Sequence, residues 1–441
     1  MRNFQNFIRE NLAVGFMLFA LFLGAGNIIF PPLLGQQAGE HIFISMIGFL
    51  ITGVGLPLLA IVAVAKNGGD LQVLASKVNP LFGILFTAIV YLSIGPLFAI
   101  PRTGAVSYEI GIAPFLTDTL KDSWVPLFVS SLVFFSITLY LAFNPTKIVD
   151  RIGKVLTPML LFVICLLALK SLITPLGPIG EAQGVYQTSA FAESFVQGYL
   201  TMDVLAALVF GIVIVQALNA RGVTNSKQQV KVAIFSGIVA ALGLAFVYIS
   251  LAYIGVTSPS AIGYFNDGGV IIAQSAKVLY GQAGSIILSA TIILACVTTA
   301  VGLLSANAAF FAKILPIMSY QAYLIIFSLF SFVISNIGLE GIIAYSLPVL
   351  LAIYPIAIVL MVIALFANFF NHDSLVYGLA LIATAFVSIY GGLKEAGIEI
   401  PAYENLLSHL PLYEQNIGWL LPAIIGFIIG YLIYLIRKPN K

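Results

Sequence analysis

Long apolar runs separated by short polar breaks make up almost the whole chain. Runs that reach the roughly 20 residues a membrane span needs fall at about 10–34, 41–65, 81–112, 124–143, 149–173, 190–217, 232–256, 284–312, 319–337, 341–367, 374–392 and 417–436. Most are apolar on every side, the pattern of a helix enclosed by lipid and other helices. They predict an all-α polytopic membrane protein of about twelve transmembrane helices.

The first run is the least regular. Gly15 to Gly39, GFMLFALFLGAGNIIFPPLLGQQAG, is apolar enough to cross a bilayer but carries Gly24, Gly26, Asn27, Pro31 and Pro32 in its second half. In a helix interior Gly costs about 1 kcal/mol and Pro about 3 kcal/mol, so the hydrogen-bond ladder is expected to fail around Leu23 to Asn27. Backbone groups freed inside hydrocarbon persist only where they line a protein cavity or bind something. The break is therefore a candidate binding site; a kink filled by neighbouring helices and water is the plainer alternative.

Three further runs depart from plain membrane helix. The sixth, ESFVQGYLTMDVLAALVFG, sets Gln197, Gly198, Tyr199, Thr201 and Asp203 at mid-membrane. An ionisable side chain there costs about 2.5–3.5 kcal/mol on insertion scales and points to function. Asp203 would serve equally as the cap of a second half-helix, and either reading needs a break between Gly198 and Asp203. In the eighth run, Ala295, Thr298 and Thr299 share one helix face at i, i+3 and i+4. Two hydroxyls joined by carbonyls from an unwound Ala20-to-Leu23 segment make a hard-oxygen site for a small cation; threonines bonded to their own backbone are the bland reading.

The third run, GPLFAIPRTGAVSYEIG, is interrupted by Pro96 and Pro101, with Arg102 and Glu109 following. Seven residues apart at 1.5 Å rise, those two stand about 10 Å apart. Arg102 is expected in the outer part of the span, near the depth of Glu193 on the sixth, as an external gate paired with Glu193 or Glu109. Snorkelling to the headgroups is the competing reading.

Composition agrees with the pattern. The chain is 61% hydrophobic and 8% charged, with a mean hydropathy of +1.08, whereas a soluble domain is about 25% charged. A net charge of +2 gives no case for nucleic acid, and the lipid bilayer is the partner implied. Arg2, Arg9, Lys66, Lys77, Lys147, Arg151, Lys154, Arg221, Lys227, Lys231, Lys313, Arg437, Lys438 and Lys441 fall on one side, against Lys121, Lys170, Lys277 and Lys394 on the other. That bias predicts cytoplasmic N- and C-termini. Cys165 and Cys296 lie inside apolar runs, which argues against a disulfide. His41, His372 and His409 make no ligand spacing, so a metal-dependent enzyme is not expected. Nothing in the chain sets an oligomeric state.

The irregular runs are spaced in a telling way. Runs one to five occupy roughly 8–174 and runs six to ten roughly 189–369, with two more in 370–441. Five is odd, so the second half begins on the opposite side and runs in the opposite sense. Interrupted helices at corresponding places in two inverted halves point to a secondary transporter, with its site at the midplane. Half-helix N-termini offer a positive end to an anion and freed carbonyls offer oxygen to a cation, which matches the carboxylate and ammonium of an amino acid.

LFLGAGNIIFPPLLGQQAG, GPLFAIPRTGAVSYEIG, GYLTMDVLAALVFG and LACVTTAVGLLS together resemble the bacterial branched-chain amino acid:cation symporters, the LIVCS family, over essentially the whole chain. The resemblance implies sodium-coupled uptake of leucine, isoleucine and valine across the bacterial cytoplasmic membrane, with no cofactor beyond the coupling ion. More distantly the arrangement is similar to LeuT and the amino acid–polyamine–organocation transporters. That implies a five-plus-five inverted repeat with broken helices 1 and 6 and two added C-terminal helices. On that likeness Gly24, Ala25, Gly26 and Asn27 hold the substrate carboxylate, and the break from Gly198 to Asp203 takes the ammonium. Tyr199, Thr201 and Met202 would then line the pocket, and Ala20, Leu23, Ala295, Thr298 and Thr299 would bind sodium. The alternative is a proton-coupled symporter of other neutral amino acids with Asp203 as the titrating group.

Overall fold

The computed structural model describes residues 2–121, 123–143, 157–220 and 222–437; the expected start of the fifth run, 149–156, lies outside them. Helices α1 (Arg2–Phe22) and α2 (Ala25–Ala38) make the first run, α3 (Ile42–Leu50) and α4 (Leu56–Lys66) the second, α5 (Pro80–Leu92) and α6 (Ala99–Glu109) the third. Next come α7 (Trp124–Ala142), α8 (Thr157–Ile173), α9 (Tyr186–Gln197), α10 (Asp203–Ala220), α11 (Ser226–Thr257) and α12 (Gly268–Ile314). The chain ends with α13 (Tyr320–Ser335), α14 (Leu339–Leu365), α15 (Ser374–Glu395), α16 (Pro401–Leu407) and α17 (Leu420–Arg437). No strand occurs among the described residues.

Nine helical stretches among the described residues are long and apolar enough to cross a membrane, and three shorter apolar helices, Asn11–Phe22, Leu161–Ile173 and Tyr320–Ser335, accompany them. The difference from twelve separate spans lies in the interruptions. The first run is cut in two, and its second half runs on through tight turns into α3 and α4.

Each interruption has a local cause. Helix α1 stops at Phe22, Gly24 is extended at φ −106°, and the helix resumes at Ala25. Pro31 and Pro32 do not end α2; the break falls at the glycine instead. In the sixth run a 3-10 turn spans Gly198–Thr201, Met202 is left-handed at φ 64°, and α10 restarts at Asp203. In the third run a π-turn over Ser93–Leu97 carries Gly95 out of helical geometry beside Pro96, which has no N–H to give. Pro101 causes no break, because it sits in the first turn of α6, where N–H groups lack helical partners anyway.

The chain divides into two compact units. One comprises Met1–Val54, Ile94–Met202 and Phe235–Ile343. Its post is α12, which packs against α1, α2, α6, α7, α8 and α13, while α9 packs on α3. Small residues let membrane helices approach closely, and α12 buries Ala295, Ala300, Gly302, Ala306 and Ala308. The buried Gln36 amide donates to Ser258 Oγ and the Gly263 carbonyl and accepts from Phe265 N, tying α2 to the loop after α11.

The other unit comprises Gly55–Ser93, Asp203–Ile234 and Ala344–Lys441. Here α10 packs on α4, and α15 on α17. Gly426 and Gly430, a G-x-x-x-G pair, explain the second contact: a Cβ at Gly426 would stand 2.6 Å from the Leu379 carbonyl oxygen. In the connection before α17, Glu404 accepts from Lys394 Nζ at 2.7 Å and from Tyr413 OH at 2.8 Å. Those two bonds, Lys394 first, hold its carboxyl below the usual range.

Candidate functional site

The site residues group around the two ends of the first break. Gly24, Ala25, Gly26 and Asn27 form the cap and first turn of α2, and Ala25 and Asn27 are buried. Asn27 Oδ1 accepts from Gly24 N at 3.1 Å, an N–H it shares with the Phe22 carbonyl at 2.7 Å. Its Nδ2 donates to the hydroxyl of Tyr248 on α11. Tyr248 is fully buried and stacks edge-on against Phe49 at 5.2 Å. The first turn is thereby fixed to α11 by one asparagine.

On the other side of the break, α12 brings its hydroxyls to the end of α1. Thr298 Oγ1 lies 3.4 Å from the Ala20 carbonyl oxygen and 2.9 Å from that of Ala295. Thr299 Oγ1 donates to the Leu21 carbonyl at 3.1 Å. Ala20, Ala295, Thr298 and Thr299 therefore lie together. Leu23 lies in the gap, with its N–H given to Phe19 O at 2.9 Å, and the carbonyl that meets Thr299 is Leu21. Gly24 rests against the same threonine: a Cβ there would stand 3.1 Å from Thr299 Cγ2.

The second break lies in the same unit up to Met202. A Cβ on Gly198 would come within 1.8 Å of Thr52 Oγ1, so the turn sits directly on the π-turn Ile51–Gly55. Tyr199, Thr201 and Met202 are all buried, and Phe195 packs edge-on against the Tyr199 ring at 5.8 Å. Asp203 is 1% exposed and is the first residue of α10, placing a carboxyl at the positive end of that helix. The next N–H, of Val204, donates to Tyr354 OH at 3.1 Å.

Of the residues expected as an external gate, Arg102 lies beside the sixth-run break. Arg102 is 3% exposed and donates from Nη1 to the Leu200 carbonyl at 2.7 Å, with its guanidinium 5.6 Å over the Phe30 ring. Glu109 accepts from Leu339 N at 3.2 Å, and Glu193 from Gln197 Nε2 at 3.2 Å.

Leu21, Leu200, Tyr248 and Thr52 were not found from sequence. Leu21 and Leu200 act through main-chain oxygen, which leaves no trace in residue type. Among the described residues no cluster of three His, Cys, Asp or Glu is placed to hold a metal, and Cys165 and Cys296 are free thiols.

An all-helical fold with interrupted helices and buried polar groups at the breaks is LeuT-like in architecture. A solved structure of Mhp1, a nucleobase-cation-symport-1 family transporter in a closed conformation with bromovinylhydantoin bound, is similar at a TM-score of 0.61. The match covers 97% of this chain and 93% of that one at 15% identity, a likeness of fold. The family model described as branched-chain amino acid transport protein matches residues 8–437, and the chain belongs to that family. It is 47% identical to the branched-chain amino acid permease BraB of Bacillus subtilis over 435 residues, 98% of this chain and 97% of the relative. It is 44% identical to the branched-chain amino acid transport system 2 carrier protein of Pseudomonas aeruginosa over 98% of this chain and 97% of the relative. Against the permease BrnQ of Escherichia coli K12 it is 42% identical, covering 96% and 95%. The protein is a multi-pass membrane transporter of branched-chain amino acids, not an enzyme.

Proposed function

We propose that the protein is a sodium-coupled symporter that takes up leucine, isoleucine and valine by alternating access. The observation that carries this reading is the convergence of the Thr298 and Thr299 hydroxyls on the carbonyls that end α1. Ligand oxygens about 2.4 Å from a hard cation stand about 3.4 Å apart in an octahedral shell, the separation between Thr298 Oγ1 and the Ala20 carbonyl oxygen. Oxygens alone, without nitrogen or sulfur, suit a hard cation. Ala20, Leu23, Ala295, Thr298 and Thr299 would hold sodium, the co-substrate, one turn from the start of α2.

The two ligands are then neighbours. Sodium between α1 and α12 orders Leu23 and Gly24, and those residues lead into the turn that meets the substrate carboxylate at Gly24 to Asn27. The ammonium takes freed carbonyl oxygen in the Gly198 to Asp203 break, and Tyr199, Thr201 and Met202 bound the side-chain space. Each ligand raises the affinity of the other by the same factor. Rocking of the broken-helix pair against the remaining helices carries both inward. The halves 8–174 and 189–369 are read as the inverted repeat, and the Lys and Arg distribution supports cytoplasmic termini. A methylene is worth only about 1–3 kcal/mol in an apolar pocket, so the three substrates should overlap.

Uptake of labelled leucine into proteoliposomes tests the reading. It should follow an inward sodium gradient and fail with choline. Uptake driven by a proton gradient alone would overturn sodium coupling and favour a titrating Asp203.

A further inference from the structure

The break in the sixth run exposes three successive carbonyls, and each meets a donor. Gly198 O accepts from Thr201 Oγ1 at 2.8 Å, Tyr199 O from Met202 N at 2.9 Å, and Leu200 O from Arg102 Nη1 at 2.7 Å. The first two donors belong to the turn itself. The third comes from α6, 98 positions earlier in the chain, and it is charged. A bond from a cation to a carbonyl is shorter and stronger than a neutral one, more so away from water.

The same guanidinium borders the first break. A Cβ on Gly26 would stand 2.7 Å from Arg102 Nη2 and 3.2 Å from the Leu200 carbonyl oxygen. Only a residue without a side chain lets the guanidinium pass between α2 and the unwound turn. The Phe30 ring, one turn further along α2, covers its face at 5.6 Å. A planar fork stacked on a ring and bonded in its plane is work for arginine; lysine presents a point charge with no face to stack.

We propose that Arg102 is a positioning residue of the transport site, its guanidinium holding the Leu200 carbonyl and so fixing the broken sixth run against the first turn of α2. The inference rests on the reading of those two breaks as the substrate site. Arg102 need not touch the substrate. It sets the distance between the groups that take the carboxylate and those that take the ammonium, and a fixed distance is what selects an α-amino acid. Helix α6 leaves the π-turn Ser93–Leu97 just before Arg102, so a change at that turn reaches both breaks through one side chain.

A double-mutant cycle on leucine binding tests it, using Arg102→Gln, Arg102→Lys, Gly26→Ala and Gly26→Ala/Arg102→Lys in the purified full chain. Arg102→Gln should weaken leucine binding about tenfold or more, and Arg102→Lys, which keeps one donor for Leu200, less than Gln. Gly26→Ala should weaken wild-type binding about tenfold but the Arg102→Lys protein by no more than about threefold, because the colliding Nη2 is gone. Thermal midpoints are read on the same proteins. A fall in midpoint with leucine affinity unchanged would reduce Arg102 to a stabilising role and overturn the proposal. So would penalties at Gly26 and Arg102 that simply multiply. A wild-type protein that binds no leucine would remove the reading on which the inference stands, and the inference with it.

Discussion

Thr299 and Leu21, 278 positions apart in the chain, are joined by a hydrogen bond of 3.1 Å from the threonine hydroxyl to the leucine carbonyl. That bond sets the eighth run against the end of α1, next to its break. If the hydroxyl serves sodium, Thr299→Ser should keep half-saturating sodium within about twofold. The nearly isosteric Thr299→Val should raise it by about tenfold or more, the scale seen when a metal site loses an oriented polar group. Sodium activation of leucine uptake measures both. Equal behaviour of the two variants would assign the residue to packing.

The turn at Gly198 is held by contact with Thr52. Gly198→Ala forces a Cβ to within 1.8 Å of Thr52 Oγ1, and overpacking of this kind costs about 1–3 kcal/mol. Thermal unfolding in detergent should show the loss, and Thr52→Ala in the same chain should restore part of it. Full additivity of the two changes would contradict the packing account.

Asn27 caps α2 through Gly24 N. Loss of a capping side chain costs about 1 kcal/mol, roughly fivefold in an equilibrium constant. Asn27→Ala should therefore weaken leucine binding by about that factor or more. Unchanged leucine affinity would mean that the first turn keeps its shape without the cap.

A pH effect is expected at the loop before α15. Lys77 Nζ donates to the Asn67 amide oxygen and lies 2.9 Å from His372 Nδ1, so the imidazole must be unprotonated to accept. Partial burial, then the Lys77 charge, pull the His372 pKa below its ordinary 6.5; burial also lowers that of Lys77. A base with a depressed pKa favours the folded contact fully above its ordinary value and loses that contribution as pH falls below it. His372 N donates to Ala367 O at 3.0 Å, and Asn371 and His372 are both left-handed at φ 48° and 57°. Hydrogen exchange at His372 should quicken below about pH 6.5 beyond the intrinsic rate, and His372→Gln should abolish that dependence. A pH-independent protection factor in the wild type would remove the Lys77–His372 tie.

How much of the fold and the site is legible in the sequence depends on what each feature is made of. The breaks at Gly24 and Gly198 are visible because glycine in an apolar run weakens a helix wherever it occurs. The face shared by Ala295, Thr298 and Thr299 is visible because helical spacing fixes which residues are neighbours. The bond from Arg102 to the Leu200 carbonyl is not legible in the sequence, because one partner is a main-chain oxygen and no residue type announces a carbonyl. Tyr248 is invisible on similar grounds, being one tyrosine among nineteen with no periodicity linking it to Asn27. The runs themselves are clear, but their joining from α2 to α4 is not: the polar Glu40 and His41 read as a break yet form a 3-10 turn, and the π-turn at 51–55 is as apolar or small as its neighbours.

Equilibrium binding of labelled leucine to the purified protein, measured as sodium is raised against choline, tests the coupling most directly. The account predicts that leucine affinity rises with sodium in the wild type and that Thr298→Ala/Thr299→Ala binds leucine weakly at every sodium concentration. Leucine affinity independent of sodium in the wild type, or a sodium response undiminished in the double variant, would contradict it.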